Sequence, residues 1–205
     1  MSQILKIAYT KIDKCNIADV LLNTHDHCTG HVYLIDSSKN ILLGHNEKHD
    51  NVCSFGGFSN PGETLMETII REFSEETLDC VLTSDSLKSY ILSSSVVITR
   101  RSIKGQHYTV FCEVENRNFD LLKINNELKK ARTNPSLTPD QLENDRIVMV
   151  NLSTIANAIN FEDNKLKNIT IFDSTNEKVN IRDINIPAYK WFIQSLNDNN
   201  LDGIF

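Results

Sequence analysis

Short runs of alternating apolar and polar residues predict strands through the middle of the chain, and stretches with a 3.6-residue period predict helices. The predicted strands cover residues 4–12, 31–35, 41–43, 90–101, 107–114 and 147–152, with a further hairpin over 169–183. Helices are predicted over 65–77, 121–132 and 153–159, and a last one begins at Pro187. Strands interrupted by helices in this way indicate a mixed α/β fold.

The length of 205 residues favours a single domain with one core. We expect that core over about residues 30–160, with a C-terminal hairpin and helix over 161–205. The formal net charge of −6 gives no general attraction to nucleic acid or to an anionic membrane. An anionic substrate would therefore need a local attraction, such as a metal ion or a small basic patch.

Cysteine usage and hydropathy bear on the compartment. The five cysteines are scattered and form no CxxC pair, so neither a zinc ribbon nor a disulfide framework is indicated. The first residues lack the uninterrupted apolar segment of a signal peptide, and no apolar run reaches the roughly 18 residues of a membrane span. These features predict a reduced, cytoplasmic setting.

The helix over 65–77 carries the most informative pattern in the chain. Thr64 followed by Glu67 is a capping box, which predicts that the helix begins there. One face carries the apolar residues that would pack on the sheet, namely Met66, Ile70 and Phe73. The exposed side carries three carboxylates within about 100° of one another: Glu72, Glu75 and Glu76. Like charges this close repel, and a hard divalent cation would convert the repulsion into binding energy.

The segment before the helix separates a metal site from an ordinary solvated acidic face. Gly56 and Gly57 permit close backbone approach and a carbonyl ligand, and Asn60-Pro61-Gly62 is a turn that returns the chain to the helix. Together with the carboxylates, these features favour a metal site.

Residues 57–79 resemble the Nudix box, GX5EX7REUXEEXGU, in which U is a large apolar residue. The residues at the required offsets are Gly57, Glu63, Arg71, Glu72, Phe73, Glu75 and Glu76. The resemblance implies a Nudix-type α/β/α sandwich with a mixed sheet, to which this chain would add a helical insertion and a C-terminal helix. Two residues depart from the pattern: Leu78 replaces the glycine that ends the helix, and Asp79 replaces an apolar residue.

The resemblance also implies a reaction, the attack of an activated water on one phosphorus of a diphosphate bridge in a nucleoside diphosphate derivative. The implied cofactor is Mg²⁺, with Mn²⁺ as a substitute. Its implied ligands are Glu72, Glu75 and Glu76, helped by the backbone carbonyl of Gly56. Arg71 and Glu63 would pair and hold the loop against the helix.

Other assignments depend on weaker signals. For the general base we choose Glu143, in a loop that would close over the substrate, with Glu72, Asp145 and Glu127 as alternatives. For substrate binding we name Arg100 and Arg101 as a phosphate clamp and Phe58 as an aromatic that could stack on a base. A zinc site is a minor alternative, because the spacing of its candidate ligands matches no common set: His25, His27, Cys28 and His31.

The substrate stays open between ADP-ribose-like compounds, nucleotide sugars, dinucleoside polyphosphates, nucleoside triphosphates and capped RNA. We expect a small nucleotide-derivative substrate, no long nucleic acid and no membrane partner, and we leave a homodimer open. The alternative from another class is a non-catalytic Nudix-fold module that binds a nucleotide or a protein. The self-repelling cluster formed by Glu72, Glu75 and Glu76 argues against it, because a pure binding module has no need of one.

Overall fold

The structure is a computed structural model and describes residues 9–11, 14–25, 27–93, 95–102, 105–114, 119–158 and 169–181. The strands in these ranges are β1 (Tyr9–Lys11), β2 (Cys28–Ile35), β3 (Asn40–Asn46), β4 (Asn51–Cys53), β5 (Phe55–Phe58), β6 (Ser95–Ser102), β7 (Gly105–Glu113), β8 (Arg146–Asn151), β9 (Ile169–Phe172) and β10 (Lys178–Ile181). The helices are α1 (Lys14–Leu22), α2 (Leu65–Thr77), α3 (Ser84–Ser93), α4 (Leu121–Ala131) and α5 (Leu152–Ala158), with a short 3-10 helix at Asp140–Leu142. None of the helices in these ranges is long and apolar enough to cross a membrane.

A single mixed sheet organises the fold. Its strand order is β1-β6-β7-β2-β3-β4-β10-β9, while β5 pairs with β2 and β8 pairs with β3. The central strand β2 pairs in parallel with β7 and antiparallel with β3 and β5. Because β5 leads directly into the loop before α2, this pairing holds the start of the box against the middle of the sheet.

Both faces of the sheet are covered, as expected for an α/β/α sandwich. On one face, sheet residues such as Val32 and Val110 pack against Ile69 and Phe73 of α2. Buried side chains of α3 and α4 belong to the same hydrophobic cluster. The opposite face buries a second cluster that includes Ile155 of α5. The alternation of side chains along β2 and β7 separates the two cores.

Most elements predicted from the pattern are confirmed. The helix over 65–77, α4, and the hairpin of β9 and β10 all form. The strand predicted over 90–101 is wrong at its start, because residues 84–93 form α3, whose Leu87 and Ile91 lie one turn apart and are buried. Helix α1 was not anticipated. The helix expected from Pro187 lies outside the described residues.

The end of α2 shows how the chain accommodates the missing glycine. Leu78 adopts the left-handed conformation with φ 50° and ψ 38°, and Asp79 follows with φ 56°. The side chain of Leu78 packs at the edge of the first core cluster. The helix therefore ends where a glycine would end it. Because leucine has a Cβ atom, the left-handed conformation of Leu78 is strained.

This strain predicts a reversal of the usual order of alanine and glycine. Both Leu78→Ala and Leu78→Gly lose the leucine packing, but only the glycine variant also relieves the left-handed strain. We expect Leu78→Gly to be more stable than Leu78→Ala by about 1 kcal/mol. At Ser89, an exposed position inside α3, alanine should be the more stable by about 1 kcal/mol. Urea unfolding of the four variants measures both differences, and the same order at both positions would contradict the assignment of strain.

Candidate active site

The first turn of α2 is fixed by the predicted capping box. The Thr64 hydroxyl accepts a hydrogen bond from the Glu67 amide at 3.2 Å, and the Glu67 carboxylate accepts from the Thr64 amide at 2.8 Å. Met66 and Phe73 are buried as expected, but Ile69 rather than Ile70 is fully buried between them. The rotation of the helix that follows from this packing decides which carboxylates face the sheet.

Arg71 lies at the centre of the acidic cluster. Its guanidinium donates to both Glu63 oxygens at 2.8 and 3.1 Å, a bidentate pair. One terminal nitrogen also donates to Glu72 at 2.8 Å and to Glu75 at 3.1 Å, and the other donates to the Phe58 carbonyl at 2.9 Å. Arg71 thus joins the loop before the helix to two carboxylates of the helix itself.

The ion pair between Glu63 and Arg71 makes a testable contribution to stability. The hydrogen bond from Arg71 lowers the pKa of Glu63 from 4.5 to about 2, so the folded state favours the ionised carboxylate. We expect Glu63→Gln to lower the free energy of unfolding at pH 7 by about 1–2 kcal/mol.

The pH dependence of that contribution has a defined sign. A carboxylate with a lowered folded pKa contributes fully above the unfolded value of 4.5, and the contribution is lost as the pH falls toward 2. The difference in stability between wild type and Glu63→Gln should shrink over that interval, as measured by denaturant titrations at each pH. Glu47→Gln, in an exposed turn, is the matched control. A difference that stays constant from pH 7 to 2 would contradict the role of the ion pair.

The two glycines of β5 are required by close packing. Gly56 has φ 149°, and a Cβ atom there would lie 2.6 Å from the His31 Cα. A Cβ atom at Gly57 would lie 2.5 Å from an oxygen of Glu72. Gly56 therefore lets β5 approach the backbone of β2, and Gly57 opens the space that the Glu72 carboxylate occupies above the strand. Burial raises the pKa of Glu72, and its hydrogen bond to Arg71 opposes that effect.

The position of Glu76 differs from the prediction that all three helix carboxylates lie on the exposed side of α2. The Glu76 side chain is buried, at 6% relative exposure, because α2 packs directly on β5. It accepts hydrogen bonds from the Gly56 amide and from the Asn144 side-chain amide, both at 3.2 Å. Burial, followed by the nearby charge of Glu143, raises its pKa well above the ordinary value. In the described part of the chain no basic side chain pairs with it.

The donor set fits a hard divalent cation. Within the described ranges, no three His, Cys, Asp or Glu side chains are gathered as they would be around a metal ion. Glu72 and Glu75 are both turned toward Arg71. One oxygen of each faces that guanidinium, which leaves the second oxygen for another cation. Beside them Glu76 is a buried carboxylate that has no counter-charge among the side chains the structure describes, and buried charges are normally paired or bound to metal.

Glu143 lies close to this cluster although it is 67 residues from Glu76. Its carboxylate accepts a hydrogen bond from the Asn46 side chain at 3.1 Å, and its side chain is exposed. The next two residues, Asn144 and Asp145, contact Glu76 and His45 respectively.

Asn46 and Asn144 are site residues that the sequence did not predict. The glycine at position 44 inside a strand was the available signal, since it indicates that another group approaches closely.

The substrate candidates lie on the same sheet. Phe58 is 66% exposed at the end of β5. The strand register places Phe58, Thr29, His107 and Arg100 in one row across β5, β2, β7 and β6. Arg101 pairs with Gln106 one residue further on. The side chains of Arg100 and Arg101 lie outside the described part, so their contacts with the acidic cluster are not assigned.

The minor zinc alternative does not assemble among the described residues. His25 contacts the Val20 carbonyl and Tyr108, whereas His31 contacts Ser54. The two imidazoles are thus engaged by separate partners. Cys28 is a buried free thiol in the first core cluster.

Comparison with known proteins identifies the family. The model of the NUDIX domain matches residues 25–157, which is more than half of the chain. The chain belongs to the Nudix family. A search of the curated proteins finds no match.

Several solved structures match this chain at low sequence identity. A bifunctional NMN adenylyltransferase/ADP ribose pyrophosphatase from Francisella tularensis is 22% identical over 66% of this chain, with a TM-score of 0.41. This chain spans 36% of that protein's length. A NUDIX-family hydrolase from Clostridium perfringens is 15% identical, with a TM-score of 0.40, over 84% of this chain and 99% of that one. The MutT protein from Methanosarcina mazei Go1 is 15% identical, with a TM-score of 0.42, over 84% and 94% of the two chains.

Proposed function

We propose that this chain is a divalent-metal-dependent hydrolase that cleaves the diphosphate bridge of a nucleoside diphosphate derivative. The observation that carries the proposal is Glu76, a buried carboxylate with no basic partner in the described ranges, beside Glu72 and Glu75. An uncompensated buried carboxylate is costly unless a cation binds it. Membership of the Nudix family makes the diphosphate bridge the natural target.

Each box residue has a distinct task in this proposal. Glu72, Glu75 and Glu76 would hold the cation, with the Gly56 carbonyl as a further ligand. Arg71 keeps Glu72 and Glu75 side by side and ties them to the loop through Glu63. A bound Mg²⁺ or Mn²⁺ would supply charge neutralisation for the phosphates and a lowered pKa for a bound water. The cation also answers the problem of an acidic protein that binds an anionic substrate.

Glu143 is the proposed proton acceptor for the attacking water. It lies outside Arg71's ion pairs, unlike Glu72, and it is exposed where a substrate could approach. The hydrogen bond from Asn46 holds its carboxylate near Glu76 without neutralising it. A base held in this way needs no large loop movement to act.

The nucleoside would lie along the row of residues that ends at Phe58. This row places a basic strand position, Arg100, three strands from the glycines of the box. An exposed aromatic ring and a basic residue on one sheet suit a base and a phosphate. We keep Arg100, Arg101 and Phe58 as the proposed substrate contacts.

A substrate panel tests the proposed function. Purified protein with Mg²⁺ or Mn²⁺ is incubated with ADP-ribose, nucleotide sugars, dinucleoside polyphosphates, nucleoside triphosphates and capped RNA, and products are identified by mass. Reaction in H₂¹⁸O reports which phosphorus the water attacks. We expect cleavage between two phosphates, abolished by EDTA. A panel without any metal-dependent product, combined with measurable nucleotide binding, would favour the non-catalytic binding module instead.

A further inference from the structure

Three consecutive residues that precede β8 are fastened to three consecutive residues of β3. Glu143 accepts from Asn46 at 3.1 Å, and Asp145 contacts the His45 ring nitrogen Nδ1 at 2.5 Å. Between them Asn144 packs over Gly44, where a Cβ atom would come within 2.5 Å of the Asn144 Cγ. The segment Glu143–Asp145 is therefore docked on the strand at every residue.

Asn144 is the member of this segment that reaches the box. Its side chain is buried, at 1% relative exposure, and its Nδ2 donates to Oε2 of Glu76 at 3.2 Å. Its Oδ1 is also buried and has no hydrogen-bond partner in the described part of the chain. An unsatisfied buried oxygen destabilises the folded state, and an apolar side chain of the same shape would avoid that cost. Unlike an apolar side chain, the asparagine can donate a hydrogen bond to Glu76.

The backbone around Asn144 is held on both sides. Arg132 donates from one terminal nitrogen to the Asn144 carbonyl and to the Leu142 carbonyl. The amide of Asp145 donates to the His45 carbonyl at 3.0 Å. These bonds fix the position from which the Asn144 side chain passes over Gly44 and reaches Glu76.

We propose that Asn144 is a positioning residue for Glu76, holding one carboxylate oxygen so that the carboxylate faces a divalent cation. The inference rests on the proposed function, in which Glu76 is a ligand. The Asn144 side chain and the Gly56 amide each donate to a different oxygen of Glu76. Because the two donors lie on different elements, they fix the plane of the carboxylate. Partners of this kind orient a ligand before the metal arrives, and their loss typically weakens metal affinity by about 10–100-fold.

The test is the affinity of the protein for Mn²⁺, measured by electron paramagnetic resonance without substrate. Asn144→Leu keeps the shape and removes the amide, and we expect it to weaken Mn²⁺ binding by about 10-fold or more. Gly44→Ala reaches the same contact by another route, because the new methyl group displaces the Asn144 side chain. It keeps the test available if Asn144→Leu fails to fold.

Asn125→Leu is the matched control. Asn125 lies in α4 and makes two hydrogen bonds to the backbone of Ile147, at 2.7 and 2.8 Å, so it supports the same strand without touching Glu76. We expect this variant to lose stability and to keep Mn²⁺ affinity. In a Glu76→Gln background, Asn144→Leu should weaken binding no further, because it acts through Glu76.

The outcomes separate the two ideas. Wild-type protein that fails to bind Mn²⁺ would overturn the proposed function, and this inference with it. Wild-type binding together with unchanged affinity in Asn144→Leu would overturn the inference alone. Equal losses in Asn144→Leu and Asn125→Leu, or an additive loss on top of Glu76→Gln, would also overturn it, because they would reflect displacement of β8.

Discussion

Replacement of Glu76 by glutamine should reduce turnover by several orders of magnitude while the protein remains folded. The glutamine keeps the shape, its one carbonyl oxygen can still accept from the Gly56 amide, and its NH2 group can donate to Oδ1 of a flipped Asn144 amide, but the charge that would bind the cation is gone. In EDTA the variant should be at least as stable as wild type, because a buried carboxylate without a counter-charge is gone. Added Mg²⁺ should raise the melting temperature of wild type only, through ligand linkage.

The control for this prediction is a second buried glutamate, whose negative charge is paired with a lysine side chain. Glu113, at the end of β7, is paired with Lys39. Glu113→Gln should leave turnover unchanged and lower stability, whereas Glu76→Gln should lower turnover and leave the stability in EDTA undiminished. Near-normal turnover of Glu76→Gln at saturating Mg²⁺ would remove Glu76 from the metal site. The same result for Glu75→Gln would remove Glu75.

Glu143→Gln is expected to lower kcat by about 10²–10⁴-fold and to leave Mn²⁺ affinity unchanged. The physical reason is that the amide cannot accept a proton from water, whereas the ligands on α2 are untouched. Steady-state kinetics give the change in kcat. Metal titration of the same sample separates the loss of a base from the loss of a ligand.

Glu127→Gln provides the comparison for Glu143→Gln. Glu127 is exposed on α4, where Lys123 lies 4.0 Å away, and it was one of the alternatives considered for the base. It should change kcat little. A Glu143→Gln enzyme within about threefold of wild type would return the role to Glu72, or leave the reaction without a separate base.

Local signals account for what the sequence could predict. Thr64 and Glu67 define the beginning of α2 through contacts three residues apart, and Arg71 and Glu63 lie within the same short segment. The capping contact can be inferred from spacing alone, whereas the pair of Arg71 and Glu63 is implied by the resemblance to the Nudix box. The same holds for the turn at Asp36, whose carboxylate accepts from the amides of Ser38 and Asn40.

Tertiary contacts account for what the sequence could not predict. The burial of Glu76 follows from the packing of α2 on β5, and the bond from Asn144 spans 68 residues. No periodicity within the helix carries that information. The mistaken strand at Tyr90 has a different cause, since a short apolar run such as Tyr90-Ile91-Leu92 suits a buried strand or a helix equally well.

The parallel pairing of β2 with β7 has a consequence for how the chain reaches this fold. Thr29 of β2 pairs with His107 of β7, which lies 78 residues later in the sequence. The centre of the sheet can therefore form only after a long loop has closed. The entropy of that closure precedes the gain from pairing, which slows folding to roughly milliseconds to seconds. During that interval the apolar strand β2 is unpaired on one side. Refolding from denaturant should therefore give higher yields at low protein concentration, where association between chains is slower than closure of the loop within one chain.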